Sequence, residues 1–410
     1  MALLFWLFIG LILYCYFGYP AVLAVLARLC PRPVKKARYP ASVSFVLSAY
    51  NEEDVIARKI ENLLSLDYPD TTPSHSEPLA CHSEPEGRRI SNSPAAPSVE
   101  ILIGSDGSSD RTDEIIRSFS DPRIKFFPGS ERRGKMATIN DLVAKAQNEI
   151  VVFTDARQIF ARDAVVQLVD NFADPKVGCV SGELMLSSKE GVTAKGINLY
   201  WNYEKFIRRC EAELHSMMGA TGAIYALRRA LYSPVPRDVV LDDMYTPFMF
   251  IRRGFRAYFD PEAKAYDEVA DSPKEEHRRK ARTLYGNYQI FGIFPDLFIP
   301  FKSPIAVQLF SHKFLRVVAP FVLIAIFLLN LLLLGQGIYQ TIFVLQVLFY
   351  AMAVTGAALR YHDQGVLRVI SRICYVPYVF CLMNFSALSG FIRFLSGAQE
   401  VTWEKARAGR

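Results

Sequence analysis

The sequence predicts an α/β domain with a mostly parallel central sheet, held between hydrophobic segments at both ends of the chain. Three observations predict it. Between about Ala41 and Pro300, short β-branched runs alternate with helical patterns, the mark of βαβ units. No charged residue occurs from Met1 to Ala27 or from Val317 to Leu359, and a bilayer crossing takes roughly 20 residues. Hydrophobic residues make up 51% of the 410, more than one globular core of this size needs.

The elements follow in order. Residues 1–30 read as a transmembrane helix, because a cleaved signal peptide would begin with a basic region and carry a shorter apolar core. Arg28, Arg32, Lys35, Lys36 and Arg38 come next, a basic cluster that the positive-inside rule puts on the cytoplasmic face. The domain at 41–300 is therefore expected in the cytoplasm, on the plasma (inner) membrane. In it, Val43–Leu47 reads as a strand, Glu52–Leu66 as a helix, Val99–Gly104 as a strand, Asp110–Phe119 as a helix, Ile124–Phe127 as a strand, Lys135–Ala146 as a helix and Ile150–Thr154 as a strand. Residues 70–98 break the pattern. They are rich in Ser, Pro, Glu and Arg, repeat His-Ser-Glu-Pro at 75–78 and 82–85, and read as a disordered insertion. The two His-x-Glu triplets there begin like a zinc-deaminase signature, but no Pro-Cys-x-x-Cys follows.

After the domain, 301–316 reads as an interfacial segment, with the basic run Ser311–Arg316 and His312 at the lipid surface. Residues 317–395 hold about three hydrophobic segments: a hairpin broken at Gly335-Gln336-Gly337, then Ile373–Ile392 between Arg372 and Arg393, with Pro377 inside. The tail, 396–410, is basic. If every segment spans, that tail ends outside, against the charge rule; a re-entrant or interfacial last segment removes the conflict.

Seven cysteines without a CxxC pair point to neither a disulfide framework nor a zinc site. The net charge of +6 fits the cytoplasmic edge of a membrane protein meeting anionic headgroups. No basic stripe interleaved with aromatics suggests nucleic acid.

In sheets of this kind ligands sit beyond the carboxyl ends of the strands. Those ends carry Ser48-Ala49-Tyr50-Asn51-Glu52-Glu53, then Ser105-Asp106-Gly107-Ser108-Ser109-Asp110, then Asp155-Ala156-Arg157. Carboxylates on one rim can accept hydrogen bonds from a base or ribose, or hold a divalent cation against a diphosphate. Asn51 and Asp110 taken singly also suit helix N-caps.

Together these turns resemble family 2 glycosyltransferases, whose nucleotide-binding half begins with Tyr-Asn-Glu, continues with Asp-Gly-Ser-x-Asp and later presents a metal-binding Asp. The resemblance covers roughly 41–300 and implies a GT-A-like fold and an inverting enzyme. Arg133-Gly134-Lys135 with Asn140 resembles the loop whose lysine reaches the nucleotide. Gly219-Ala220-Thr221-Gly222-Ala223 resembles the glycine-rich stretch near the acceptor, and Leu241-Asp242-Asp243 the acidic pair whose second member is the catalytic base. The resemblance thus implies Asp243 as base, with Tyr50, Glu52, Asp106, Lys135, Asp155, Arg157, Arg279 and Arg282 on the donor, Gly222 and Asp242 on the acceptor side, and Mg2+ or Mn2+ on Asp155. Arg279 and Arg282 lie three apart on one helical face, where two guanidiniums can clamp a diphosphate; a solvated charged helix is the other reading. The expected partners are a nucleotide-sugar, with UDP the commonest, and a membrane lipid or lipid-linked acceptor.

Two positions depart from the family pattern. Arg157 stands where many relatives have the second Asp of Asp-x-Asp, which weakens the metal site. Aligning Arg282 on the Gln-x-x-Arg-Trp of processive members puts Arg279 at the Gln and Thr283 at the Trp, which removes a stacking surface for a growing polysaccharide. A processive synthase, or a non-catalytic partner in a polysaccharide export assembly, stays open as an alternative. Gly129 to Lys135 also matches a P-loop up to its last position, where Met136 replaces the Ser or Thr that such a loop needs for Mg2+.

Overall fold

The computed structural model describes residues 1–68, 98–187, 192–268, 273–359 and 365–397. The stretch expected to be a disordered insertion falls almost wholly outside these, as does most of the 396–410 tail.

In chain order the elements are α1 (Ala2–Leu29), β1 (Val43–Ala49), α2 (Ile56–Leu64), β2 (Val99–Ser105), α3 (Thr112–Arg117), β3 (Ile124–Phe127), α4 (Lys135–Lys145), β4 (Ile150–Thr154), β5 (Ile159–Phe160), α5 (Ala164–Val169), β6 (Val177–Ser187), α6 (Val192–Leu214), β7 (Ile224–Arg228), α7 (Asp242–Arg252), β8 (Arg256–Glu268) and α8 (Pro273–Ile293). Three long helices follow: α9 (Ala306–Leu332), α10 (Gly337–Leu359) and α11 (Gly365–Ser396). The four expected strands form within two residues of their predicted bounds. The helix expected from Glu52 starts at Ile56, because Asn51 turns the chain at φ 53° and Glu52 to Val55 form a turn first.

One eight-stranded sheet runs β3-β2-β1-β4-β7-β6-β8-β5. β1 to β4 pair in parallel, whereas β7 lies antiparallel between β4 and β6, and β5 antiparallel against β8. The period-two pattern of the strands feeds two cores. Val46, Leu102, Val151 and Phe153 face α4, α7 and α8, while Phe45, Leu47, Ile101, Ile103 and Val152 face α2 and α5. Fully burying one such side chain is worth about 1.5–3 kcal/mol, so the two faces together give the rim a rigid base.

Strand direction decides what reaches that rim. Ala49 pairs with Ser105 in register, and Val46 with Phe153, so the carboxyl ends of β1, β2 and β4 lie side by side. Because β7 is antiparallel, its first residue, Ile224, pairs with Thr154 at the end of β4. The reversed strand thereby carries Gly219–Ala223 to the same edge as Asp155.

Among the described residues four helices, α1, α9, α10 and α11, are long and apolar enough to cross a membrane, and the chain reads as an integral membrane protein. Many of their large apolar side chains face outward, among them Leu3, Phe17, Leu328, Val354 and Phe385. The first half of α1 packs among the apolar helices, where Phe5 meets Val322, Ile326 and Tyr339, and farther along Tyr16 meets Phe380 of α11 at 5.2 Å. Its second half lies on α6 through Tyr19 and Leu23, against Ile207 and Cys210.

The region expected at the lipid surface behaves differently. Ser311 and His312 are buried at the start of α9, which turns one π-helical loop there. His312 Nδ1 lies 2.8 Å from Glu211 Oε1 and its Nε2 3.2 Å from Glu204 Oε2, while Arg316 pairs with Glu204. The carboxylates of α6 draw these basic groups inward, an interaction the sequence around 311–316 alone does not reveal. The end of α11 returns to the α/β domain. A Cβ on Gly390 would lie 3.0 Å from Ala281 O, and Phe394 stacks on Tyr288 at 5.5 Å. Residues 390–394 therefore stay on the side of the α/β domain.

Candidate active site

The loop before α4 is built by Asp106. This carboxylate, 4% exposed, accepts from Arg133 N at 2.8 Å and from Gly134 N at 2.9 Å. Charge-assisted bonds of this kind contribute about 1.5–3 kcal/mol each. Gly134 adopts φ 93° and ψ 150°, a conformation open to glycine. Gly107, at φ 72°, lets the loop come close, since a Cβ there would meet Glu131 C at 2.7 Å. Asp106, expected on the donor, thus holds the loop that carries Lys135. The Tyr50 ring takes the Arg132 guanidinium at 4.2 Å, and Glu52 N donates to Thr112 Oγ1 at 2.8 Å.

Lys135, at the start of α4, reaches across the rim to Asp155, with Nζ 2.8 Å from Oδ1. Burial alone would make Lys135 easier to deprotonate. The charges of Asp155, Asp242 and Asp243 outweigh it and hold the ammonium above its ordinary range.

Asp242 and Asp243 open α7, and Ala220 N donates to Asp243 O at 2.7 Å, which docks the glycine-rich stretch on the acidic pair. A Cβ on Gly222 would stand 3.6 Å from Asp243 Oδ2, so a glycine leaves the carboxylate approachable there. Burial, then the like charge of Asp242, pushes Asp243 up to about 6, with Lys135 and Arg208 pulling the other way. Arg282 completes this side: burial lowers its pKa and the two aspartates partly restore it. Arg133, Gly134, Lys135, Arg237, Asp242 and Arg282 line one open cleft.

The structure therefore brings Lys135, Asp155, Asp242, Asp243, Gly222 and Arg282 together. Arg157 is turned away, its Nη2 3.5 Å from Asp267 at the end of β8. The Arg279 side chain lies outside the described residues. Sequence reasoning missed Arg237, five residues before Asp242, whose only signal was a basic residue just ahead of the acidic pair. It missed Arg208 and Lys59 as well. Lys59 is wholly buried under the Asp155–Gln158 turn, donating to Gln158 O at 2.6 Å; burial lowers it to about 7, against the pull of Asp155. No local motif marks either residue.

Among the described residues no group of three His, Cys, Asp or Glu side chains gathers as a metal site. The donor set at the rim is one carboxylate, Asp155, with Lys135 on Oδ1. One carboxylate plus a substrate diphosphate and water is a normal environment for Mg2+, so the residues present fit a divalent ion that arrives with its substrate.

A model of Glycosyl transferase family 2 matches residues 88–234. Among curated proteins, the poly-beta-1,6-N-acetyl-D-glucosamine synthase of Staphylococcus aureus (strain MSSA476) is 24% identical over 279 residues, covering 66% of this chain and 60% of that protein. The synthase of the same name from Staphylococcus epidermidis is 22% identical over 254 residues, covering 60% of this chain and 55% of its own. The chain thus spans about 60% of the length of the first of these relatives. Among solved structures, the mannosyltransferase PcManGT from Pyrobaculum calidifontis, in complex with GDP-Man and Mn2+, aligns over 97% of this chain and 100% of its own with a TM-score of 0.66 and 22% identity. The chain carries a glycosyl transferase family 2 domain on a GT-A-like fold.

Proposed function

We propose that the protein transfers a sugar from a nucleotide-sugar, with a UDP-sugar first in line, to an acceptor hydroxyl with inversion at the anomeric carbon. The observation that carries this is the position of Asp243: a carboxyl raised to about 6, open toward Gly222 and near enough to feel the charge of Lys135, which pairs with Asp155. In the reaction the acceptor oxygen bonds to the anomeric carbon while its proton passes to Asp243. The bond from that carbon to the phosphate oxygen breaks, and its electron pair leaves with the nucleoside diphosphate. Lys135, Arg237 and Arg282 face the leaving diphosphate and stabilise its charge. A divalent ion, held by Asp155 with the diphosphate, would supply further neutralisation there. Raising a carboxylate toward 6 makes it a better base at neutral pH without protonating most of it.

The acceptor we propose is a lipid-linked or cell-surface glycan intermediate, because apolar helices flank the α/β domain on both sides. The basic cluster after α1 supports a cytoplasmic placement of that domain at the plasma (inner) membrane. A processive synthase is the second reading, favoured by the names of the staphylococcal relatives. The test is nucleotide release by the detergent-solubilised chain across UDP-, GDP- and dTDP-sugars with Mg2+ or Mn2+, followed by sizing of the product. Release with one donor and a product one sugar longer supports single transfer, a ladder of products supports the synthase, and binding without release under a full acceptor panel leaves a non-catalytic partner.

A further inference from the structure

Between β7 and α7 the chain makes a β-turn, with Val239 N donating to Pro236 O at 3.1 Å and Arg237 and Asp238 at the tip. The tip is exposed, whereas Val235, Val239 and Val240 on its two legs are buried. Pro234 and Pro236 restrict the backbone of the leading leg further.

Side chains of two helices take up the backbone groups of those legs. On the leading leg, Asn140 of α4 donates through Nδ2 to Val235 O at 2.8 Å, and its Oδ1 accepts from Val235 N at 3.0 Å and from the Tyr232 hydroxyl at 2.6 Å. On the trailing leg, Gln289 of α8 accepts from Val240 N at 2.9 Å and donates to Asp238 O at 2.7 Å. Each amide uses donor and acceptor together, as a neighbouring strand would, so each leg is fixed in register.

The same two helices bear other cations of the donor cleft. Lys135 opens α4, five residues before Asn140, and Arg282 lies two turns before Gln289 on one face of α8. α8 also passes close to the acidic pair, since a Cβ on Gly286 would collide with Leu241. The turn therefore bridges α4 and α8, and its Arg237 lines the cleft with Lys135 and Arg282. The neighbouring cations already face carboxylates: Lys135 pairs with Asp155 and Arg133 with Asp141, and the charges of Asp242 and Asp243 act on Arg282. Among the described residues the Arg237 guanidinium has no hydrogen bond or ion pair, which leaves its donors to a ligand. Binding an arginine costs side-chain freedom, and a backbone ordered in advance adds nothing to that cost.

We infer that Asn140 and Gln289 are positioning residues: by clamping the two legs of the Pro236–Val239 turn, they hold Arg237 in place beside Lys135 and Arg282, preformed for a diphosphate. The inference rests on the transferase reading for its ligand, the diphosphate group of a nucleotide. Neither amide touches that ligand; both act through Arg237.

The test is calorimetric titration of the full chain in detergent with UDP, GDP and dTDP in the presence of Mg2+, across wild type, Arg237→Gln, Asn140→Ala, Gln289→Leu and the two doubles that add Arg237→Gln. Arg237→Gln should weaken binding of the preferred diphosphate about tenfold to a hundredfold. Asn140→Ala and Gln289→Leu should each weaken it about tenfold in the wild-type background and less than twofold beside Arg237→Gln, because the group they position is then gone. A brace that merely supported the fold would cost the same in both backgrounds, and that result overturns the inference. So does wild-type affinity in either folded single variant. If Asn140→Ala does not fold, the half-buried Gln289 decides on its own cycle. Wild type that binds a diphosphate but releases none from any nucleotide-sugar sinks the transferase reading and leaves the cycle to decide the positioning; wild type that binds no diphosphate overturns the positioning itself.

Discussion

Asp242→Asn should move the acid limb of the pH–rate profile. In the wild-type protein Asp243 sits at about 6, raised by burial and by its neighbour's charge. A base of that strength is about 90% ionised at pH 7 and only about a tenth ionised at pH 5, so kcat/KM should fall about tenfold between the two. A carboxylate at its ordinary value near 4 would lose only about a tenth over the same range. Removing the Asp242 charge takes away one of the two causes of the rise, while Lys135 and Arg208 continue to pull the value down. The variant's limb should therefore lie at lower pH, and its pH 7 to pH 5 ratio should be well below that of wild type. The ratio is taken within each protein, so any fixed loss from Asp242 itself drops out. The assay is coupled nucleotide release at subsaturating donor, with donor affinity and far-UV dichroism followed at both pH values. A flat wild-type profile, or an undiminished tenfold fall in Asp242→Asn, would refute the electrostatic argument.

Two further substitutions probe the site and its support. Lys135→Ala should lower kcat about 10²–10³-fold, the usual effect of removing one charge from a developing anion, and should raise the Asp243 limb because a cation that lowers it is gone; unchanged kcat would place the leaving group elsewhere. Gly390→Val should loosen α11 from α8, because even a Cβ there comes within 3.0 Å of backbone at Ala281 and Tyr285. Overpacking of this kind costs about 1–3 kcal/mol, and donor affinity should weaken through Arg282 while melting of the α/β domain shifts little; a wild-type donor affinity would argue against that coupling.

The strand ends were legible because each motif sits directly after a short β-branched run, and parallel strands put their carboxyl ends on one edge. Asp106 and Asp155 could be named for that reason, whereas Lys135 and Asp243 open helices that directly follow no strand and were named from the family resemblance. The antiparallel β7 was not legible, since nothing local distinguishes Ile224–Arg228 from a strand running the other way; the direction matters because it delivers Gly222 to the rim. Asp106 was read as a residue on the donor; its sequence neighbourhood does not show that it also accepts from the backbone N–H groups of Arg133 and Gly134, twenty-odd residues on. Arg157 met Asp267 for the same kind of reason, a partner 110 residues away. His312 was placed at the lipid surface from its basic neighbours, whereas the carboxylates of Glu204 and Glu211 on a distant helix bring it inside. Membrane segments were visible from composition, yet the seat of the second half of α1 on α6, beside α9 and α11, depends on packing.

The measurement that bears most directly on the proposed mechanism is nucleotide release by Asp243→Asn, set beside its affinity for the same donor. Loss of a general base lowers rates about 10²–10⁴-fold, so release should fall by that much while donor binding stays within a few-fold of wild type. Release at the wild-type rate, with donor bound normally, would mean that another group takes the proton and that Asp243 is not the base.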